Sequence, residues 1–122
     1  MKTSVTICRG GLFRLDLPSR VGGIAIGRPV VGRGFVVFAG SAVNDCSPDF
    51  KTRPRVAGDT YARLRERLET AGVIVTDPSG GRLGGRRFVL TQDWAFSCRA
   101  AASSVVLGRS SDGNDWKPLS AL

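Results

Sequence analysis

The sequence predicts a small α+β domain: a largely antiparallel sheet covered by two helices on one side. Three observations carry this. Short β-prone runs fill the first 40 residues, two helical patterns follow, and strand signals separate those helices rather than alternating with them regularly. A chain of 122 residues with 42% hydrophobic residues and a mean hydropathy of −0.01 fits one folded domain over residues 1–122.

The elements follow in order. Lys2–Cys8 is β-prone through Val5, Thr6 and Ile7, Gly10-Gly11 signals a turn, and Leu12–Leu17 resumes, so a hairpin is expected. Gly22–Gly27 brackets a short apolar strand, and Arg28–Gly34 reads as a linking turn. Phe35–Ala39 is apolar throughout and reads as a central strand closed by Gly40-Ser41. Asn44–Gly58, with Pro48 and Pro54, reads as the longest loop. Asp59 then caps a helix over Thr60–Ala71, with Tyr61, Leu64 and Leu68 at helical spacing and Arg63, Arg65 and Arg67 pointing elsewhere. Gly72 supplies a left-handed stop. Val73–Val75 and Phe88–Thr91 are strands flanking a Gly-rich hairpin loop, Asp77–Gly85. Trp94 and Phe96 share one side of an extended segment as core anchors. Ser97 caps a second helix over about Arg99–Leu107, stopped by Gly108, with Ala100–Ser104 as a close-packing face. Asp112-Gly113 makes a tight turn and Trp116 anchors the tail.

Composition excludes several functions. No histidine is present, and the three cysteines Cys8, Cys46 and Cys98 are widely spaced, so a structural zinc site is not expected. Ser41 lacks both a histidine and a Ser-x-x-Lys spacing, which leaves it as a turn hydroxyl rather than a nucleophile. Asp49-Phe50-Lys51 and Asp115-Trp116-Lys117 match only half of a metal-dependent nuclease signature. No cofactor and no enzymatic activity are expected. The longest apolar runs are too short to span a bilayer, and no signal-peptide core follows Met1, so a cytoplasmic protein without a membrane partner is expected.

The net charge is +8, and 15 of the 18 basic residues are arginine. Residues 1–33 carry a balance of +5 and residues 53–87 a balance of +4. Arginine suits bidentate contacts to phosphate, so an anionic partner is expected, nucleic acid first. The candidate nucleic-acid-binding residues are Arg63, Arg67, Arg82, Arg86, Arg87, Arg99, Arg109 and Lys117. A second reading is a protein–protein interaction module, an inhibitor or adaptor of a nucleic-acid enzyme, that turns the same basic surface to an acidic partner.

Three segments together resemble a known family. They are Gly34-Phe35-Val36-Val37-Phe38-Ala39-Gly40-Ser41, Tyr61–Arg65 through Gly72-Val73-Ile74, and Phe88 through Lys117. Across about residues 25–117 the chain looks like an uncharacterised domain often appended C-terminally to GIY-YIG nuclease-type proteins. Its closing segment is also similar to the restriction-and-adenine-methylase-associated (RAMA) domain. The resemblance implies a noncatalytic DNA-related accessory role in a restriction, modification, nuclease or mobile-element setting. The chain departs from the family's Ser-Ser-Pro-Ser run with Ser97-Cys98-Arg99-Ala100, losing two hydroxyls and gaining a guanidinium.

Overall fold

A computed structural model of the chain describes residues 11–30, 32, 34–47, 60–80 and 86–119. The expected strand Lys2–Cys8, the Asp59 cap, Asp49–Lys51 and Arg82 lie outside the described residues.

The first sheet has five strands in the order β7-β3-β2-β1-β8, where β1 is Phe13–Asp16, β2 Ile24–Pro29, β3 Phe35–Val37, β7 Trp94–Phe96 and β8 Lys117–Pro118. A second sheet of three strands runs β4-β6-β5, with β4 Ala42–Asn44, β5 Ile74–Thr76 and β6 Arg87–Leu90. Every pairing is antiparallel. The fold is therefore α+β, with two sheets where the sequence suggests one. β2 also runs through Arg28-Pro29, which the sequence assigns to a turn. Its hairpin closes where the Val30 N–H donates to the Gly34 carbonyl at 3.1 Å.

One corner of the chain divides the sheets. β3 makes its last bond to the first sheet through the Phe38 N–H, which donates to the Ile26 carbonyl at 2.9 Å. Two residues later the Gly40 N–H donates to the Leu90 carbonyl of β6 at 2.8 Å. Gly40 has φ 87°, which glycine reaches at little cost. Ser41 is buried, and its hydroxyl accepts from the Ile26 N–H at 3.0 Å, tying the corner back to β2. The turn-hydroxyl reading of Ser41 holds.

Among the described residues the two helices are α1, Thr60–Thr70, and α2, Arg99–Leu107. α1 ends at Gly72, φ 78°, and α2 at Gly108, φ 70°, as the two glycine stops predict. The helices pack on each other; α1 lies on β5, and α2 touches β3 and β7 of one sheet and β4 of the other. Seven consecutive residues of α2, Ala101–Leu107, are buried. Small side chains at Ala101, Ala102, Ser103 and Ser104 let the helix backbone approach both sheets, so a single apolar core forms, with Leu15, Phe35, Val37, Val43, Leu68, Leu90 and Val105 at its centre. Trp116 lies in this core with its ring 4.7 Å from that of Phe35, and Phe96 of β7 is buried beside them.

Candidate functional site

α2 presents its first turn at the surface, and the local sequence decides how. The cap is Cys98, not the expected Ser97. Cys98 is extended, φ −164°, and its Sγ accepts from the Ala101 N–H at 3.4 Å. Ser97 is exposed one residue earlier. A thiol at this place meets helix-terminal N–H groups that favour negative charge. The Tyr61 hydroxyl of α1 lies 3.5 Å from the sulfur. That hydrogen bond, followed by the backbone N–H groups of the first turn, holds the Cys98 thiol below its usual pKa against a partly opposing effect of burial. The same bond raises the Tyr61 phenol above its usual value, because the phenol keeps its proton to donate to the sulfur.

Arg99 follows on the surface, its guanidinium 4.8 Å from the centre of the Phe13 ring. Phe13 meets Phe35 edge-on at 6.2 Å, which leads from Arg99 through two rings to Trp116. Behind this turn the buried serines of α2 hold the tail. Ser103 Oγ donates to Ser111 Oγ at 2.8 Å, and Ser111 Oγ donates to Asp115 Oδ2 at 2.7 Å. Ser104 Oγ accepts from the Ser111 N–H at 3.0 Å. Asp115 is thus engaged in a structural network. Among the described residues no group of three or more His, Cys, Asp or Glu could hold a metal ion.

The predicted basic residues fall into separate groups. Arg63 and Arg67 are exposed one turn apart on α1. Arg99 stands at the start of α2, and exposed Lys117 lies on β8, which pairs with the strand that carries Phe13. Arg86 is exposed, 5.5 Å over the Phe88 ring and 3.9 Å from Asp45. Arg109 is exposed just past α2, at the opposite end of the helix from Arg99. The nine-residue helix sets Arg99 and Arg109 about 14 Å apart along its axis, so the seven described positions do not share one patch. Arg87 is half-buried, and its Nε donates to Asp77 Oδ2 at 3.0 Å. Ser79, whose hydroxyl and N–H both donate to Asp77, and then Arg87 hold the Asp77 carboxyl below its usual pKa. Arg87 is therefore the poorest of the described candidates for a ligand contact.

Arg65 does not point away from the core, as its charge suggests. It is 1% exposed, the largest fully buried side chain among the described residues. Its Nε donates to Glu69 Oε2 at 2.6 Å, its Nη1 donates to the Val105 carbonyl at 2.8 Å, and its guanidinium lies 5.3 Å from the Phe88 ring centre. Arg65 pairs with Glu69 one turn on, and the pair seals the α1–α2 contact instead of lying on a solvated face. The available signal was position: residue 65 stands three before buried Leu68 and three after buried Ala62, on the inward stripe.

A protein-family model described as "Domain of unknown function (DUF4357)" matches residues 24–120. No curated protein and no solved structure matches the chain. Among the described residues no helix is long and apolar enough to cross a membrane.

Proposed function

The chain belongs to the DUF4357 family, and from that premise we propose that it is a noncatalytic nucleic-acid-binding accessory module, with DNA as its first candidate partner. One observation supports this above the others: seven of the eight described carboxylates are already held by partners within the chain. Asp16 pairs with Arg14, Asp45 with Arg86, Glu69 with Arg65 and Asp77 with Arg87. Asp93 accepts from the Ala39 N–H, Asp112 from Asn114, and Asp115 from Ser111. Glu66 is the one described carboxylate outside these contacts. Arg20, Arg67, Arg99 and Lys117 are exposed and form no ion pair among the described residues. Among the described residues these four cations thus stand at the surface without a carboxylate of their own, which favours an anionic partner. The resemblance to domains that accompany nucleases and methylases supports a restriction, modification or mobile-element setting.

The test is fluorescence anisotropy of a labelled 20-base-pair duplex over a salt series, beside an incubation with magnesium or manganese that scores cleavage. Binding should weaken steeply with salt, and Arg67→Ala, Arg99→Ala and Lys117→Ala should each flatten the slope by about 0.9. The DNA should stay intact. Absence of binding at low salt, to this duplex and to a single strand of the same length, would remove the proposal and leave the protein-partner reading in its place.

A further inference from the structure

We propose that the groove at the C-terminal end of α2 seats a phosphodiester of a single-stranded nucleic acid, held by Arg20 and Arg109. This rests on the nucleic-acid reading above and gives it a location. The groove encloses about 580 Å³, and its lining includes Arg20 from the turn after β1, Asn44, Asp45 and Cys46 after β4, and Gly108 and Arg109 after α2. Three distant segments of the chain meet here.

A helix C-terminus ordinarily repels an anion, because its last carbonyls carry partial negative charge. Here the carbonyls of Leu107 and of the cap Gly108 are occupied. Asn44 Nδ2 donates to the Leu107 carbonyl at 3.1 Å, and the Ser47 N–H donates to the Gly108 carbonyl at 2.9 Å. Asp45, the one carboxylate in the described lining, accepts from the Cys46 N–H at 2.9 Å and lies 3.9 Å from Arg86. With Asp45 engaged by Arg86, the guanidiniums of Arg20 and Arg109 are the unpaired charges of the described lining. Both are exposed, and Arg109 spends one nitrogen on the Ser110 carbonyl at 3.2 Å, leaving donors for phosphate.

The shape selects a single strand. A flexible strand bends one phosphodiester into a concavity, whereas the phosphates of a duplex stand in rigid rows. No aromatic side chain appears in the described lining, so the grip falls on the backbone and not on a stacked base. Binding here is accordingly indifferent to sequence.

Cys46 lies in the groove and Cys98 at the other end of α2, and neither is in a disulfide. They give the experiment an internal reference. The full chain is titrated with a labelled 12-nucleotide oligothymidine, a duplex of equal length and inorganic phosphate, and cysteine alkylation is followed peptide by peptide. Arg20→Ala and Arg109→Ala should each weaken oligothymidine binding roughly fivefold to tenfold at 50 mM salt and flatten the salt slope by about 0.7. Melts of both variants should match the parent. The bound strand should slow alkylation of Cys46 and leave Cys98 unchanged. If the strand binds but Cys46 is not protected and neither substitution matters, the groove proposal alone falls. If inorganic phosphate protects Cys46 as well as the strand does, or the duplex does so better, the single-strand assignment is overturned. Absence of binding to either nucleic acid removes both this proposal and the function it rests on.

Discussion

Arg65 shows how a charged side chain becomes part of a core. Its stem and guanidinium fill space between α1, α2 and the Phe88 ring, and it bonds both a carboxylate and a helix carbonyl. Truncation leaves the Val105 carbonyl unpaired and opens a cavity. Arg65→Ala should therefore cost about 3 kcal/mol in urea unfolding. Arg65→Met, which restores volume without charge, should cost clearly less, because a packed apolar replacement avoids the cost of burying a charge. Equal losses in the two variants would mean that the hydrogen bonds, not the packing, carry the stability. Cys98 sets a different expectation. Its alkylation rate should rise with a midpoint below the ordinary thiol value of about 8.5, and Tyr61→Phe should move that midpoint upward. The linked stability is fully present above the unfolded thiol value and fades as pH falls through the lowered folded one. Tyr61 has the opposite sense: its raised pKa contributes below about 10 and is lost at higher pH, so both groups favour a thiolate beside a neutral phenol. A pH–rate profile for Cys98 that Tyr61→Phe leaves in place would show the pair to be a contact without electrostatic consequence. Neither residue's role was legible beforehand. The composition of the first α2 turn pointed to a serine cap, and only the approach of α1 reveals which side chain faces the amides.

The two helix-stopping glycines separate backbone conformation from space. Gly72 and Gly108 have similar positive φ values, 78° and 70°. A Cβ on Gly72 would meet nothing within 4 Å, whereas one on Gly108 would stand 2.6 Å from the Asp45 carbonyl oxygen and 2.7 Å from Cys46 Cα. Gly72→Ala should therefore cost only the left-handed backbone penalty, about 1 kcal/mol. Gly108→Ala should cost roughly 3 kcal/mol, because backbone on both sides must move. Chemical denaturation of the pair decides it, and equal losses would show that the loop after β4 yields freely. Both stops, and the full span of α2, were legible because a glycine follows an apolar or amphipathic run of helical length. β4 and β8 were not, since strands of three and two residues carry no periodicity. β5 begins one residue later than its apolar run suggests, because Val73 is still bonded into the α1 stop through its N–H to the Leu68 carbonyl.

Among the described residues, α2 packs on two sheets that are also linked by the Gly40-Ser41 corner, by the short connection Thr91–Asp93 from β6 to β7, and by contacts between β2 and β4. Ala102 is fully buried in that helix. Ala102→Asp should remove about 4 kcal/mol or more, enough to unfold a marginal domain, because it forces a larger, charged side chain into a fully buried face. An unchanged thermal melt would contradict the packing described. The sequence made the α+β class legible, since strand and helix patterns occupy separate blocks of chain. Division into two sheets was hidden because it depends on one bend after β3, and the scatter of the arginines was hidden because it depends on where α2 begins and ends in space. The pairing of β1 with β8 carries a kinetic consequence. Arg14 and Lys117 face each other from positions about a hundred residues apart, so most of the chain must be ordered before this pair forms. Until then β1 has one open edge, and a second chain in the same condition offers the matching one. The slow step of folding is thereby also the step most exposed to crowding by its own kind, and refolding yield falls as protein concentration rises.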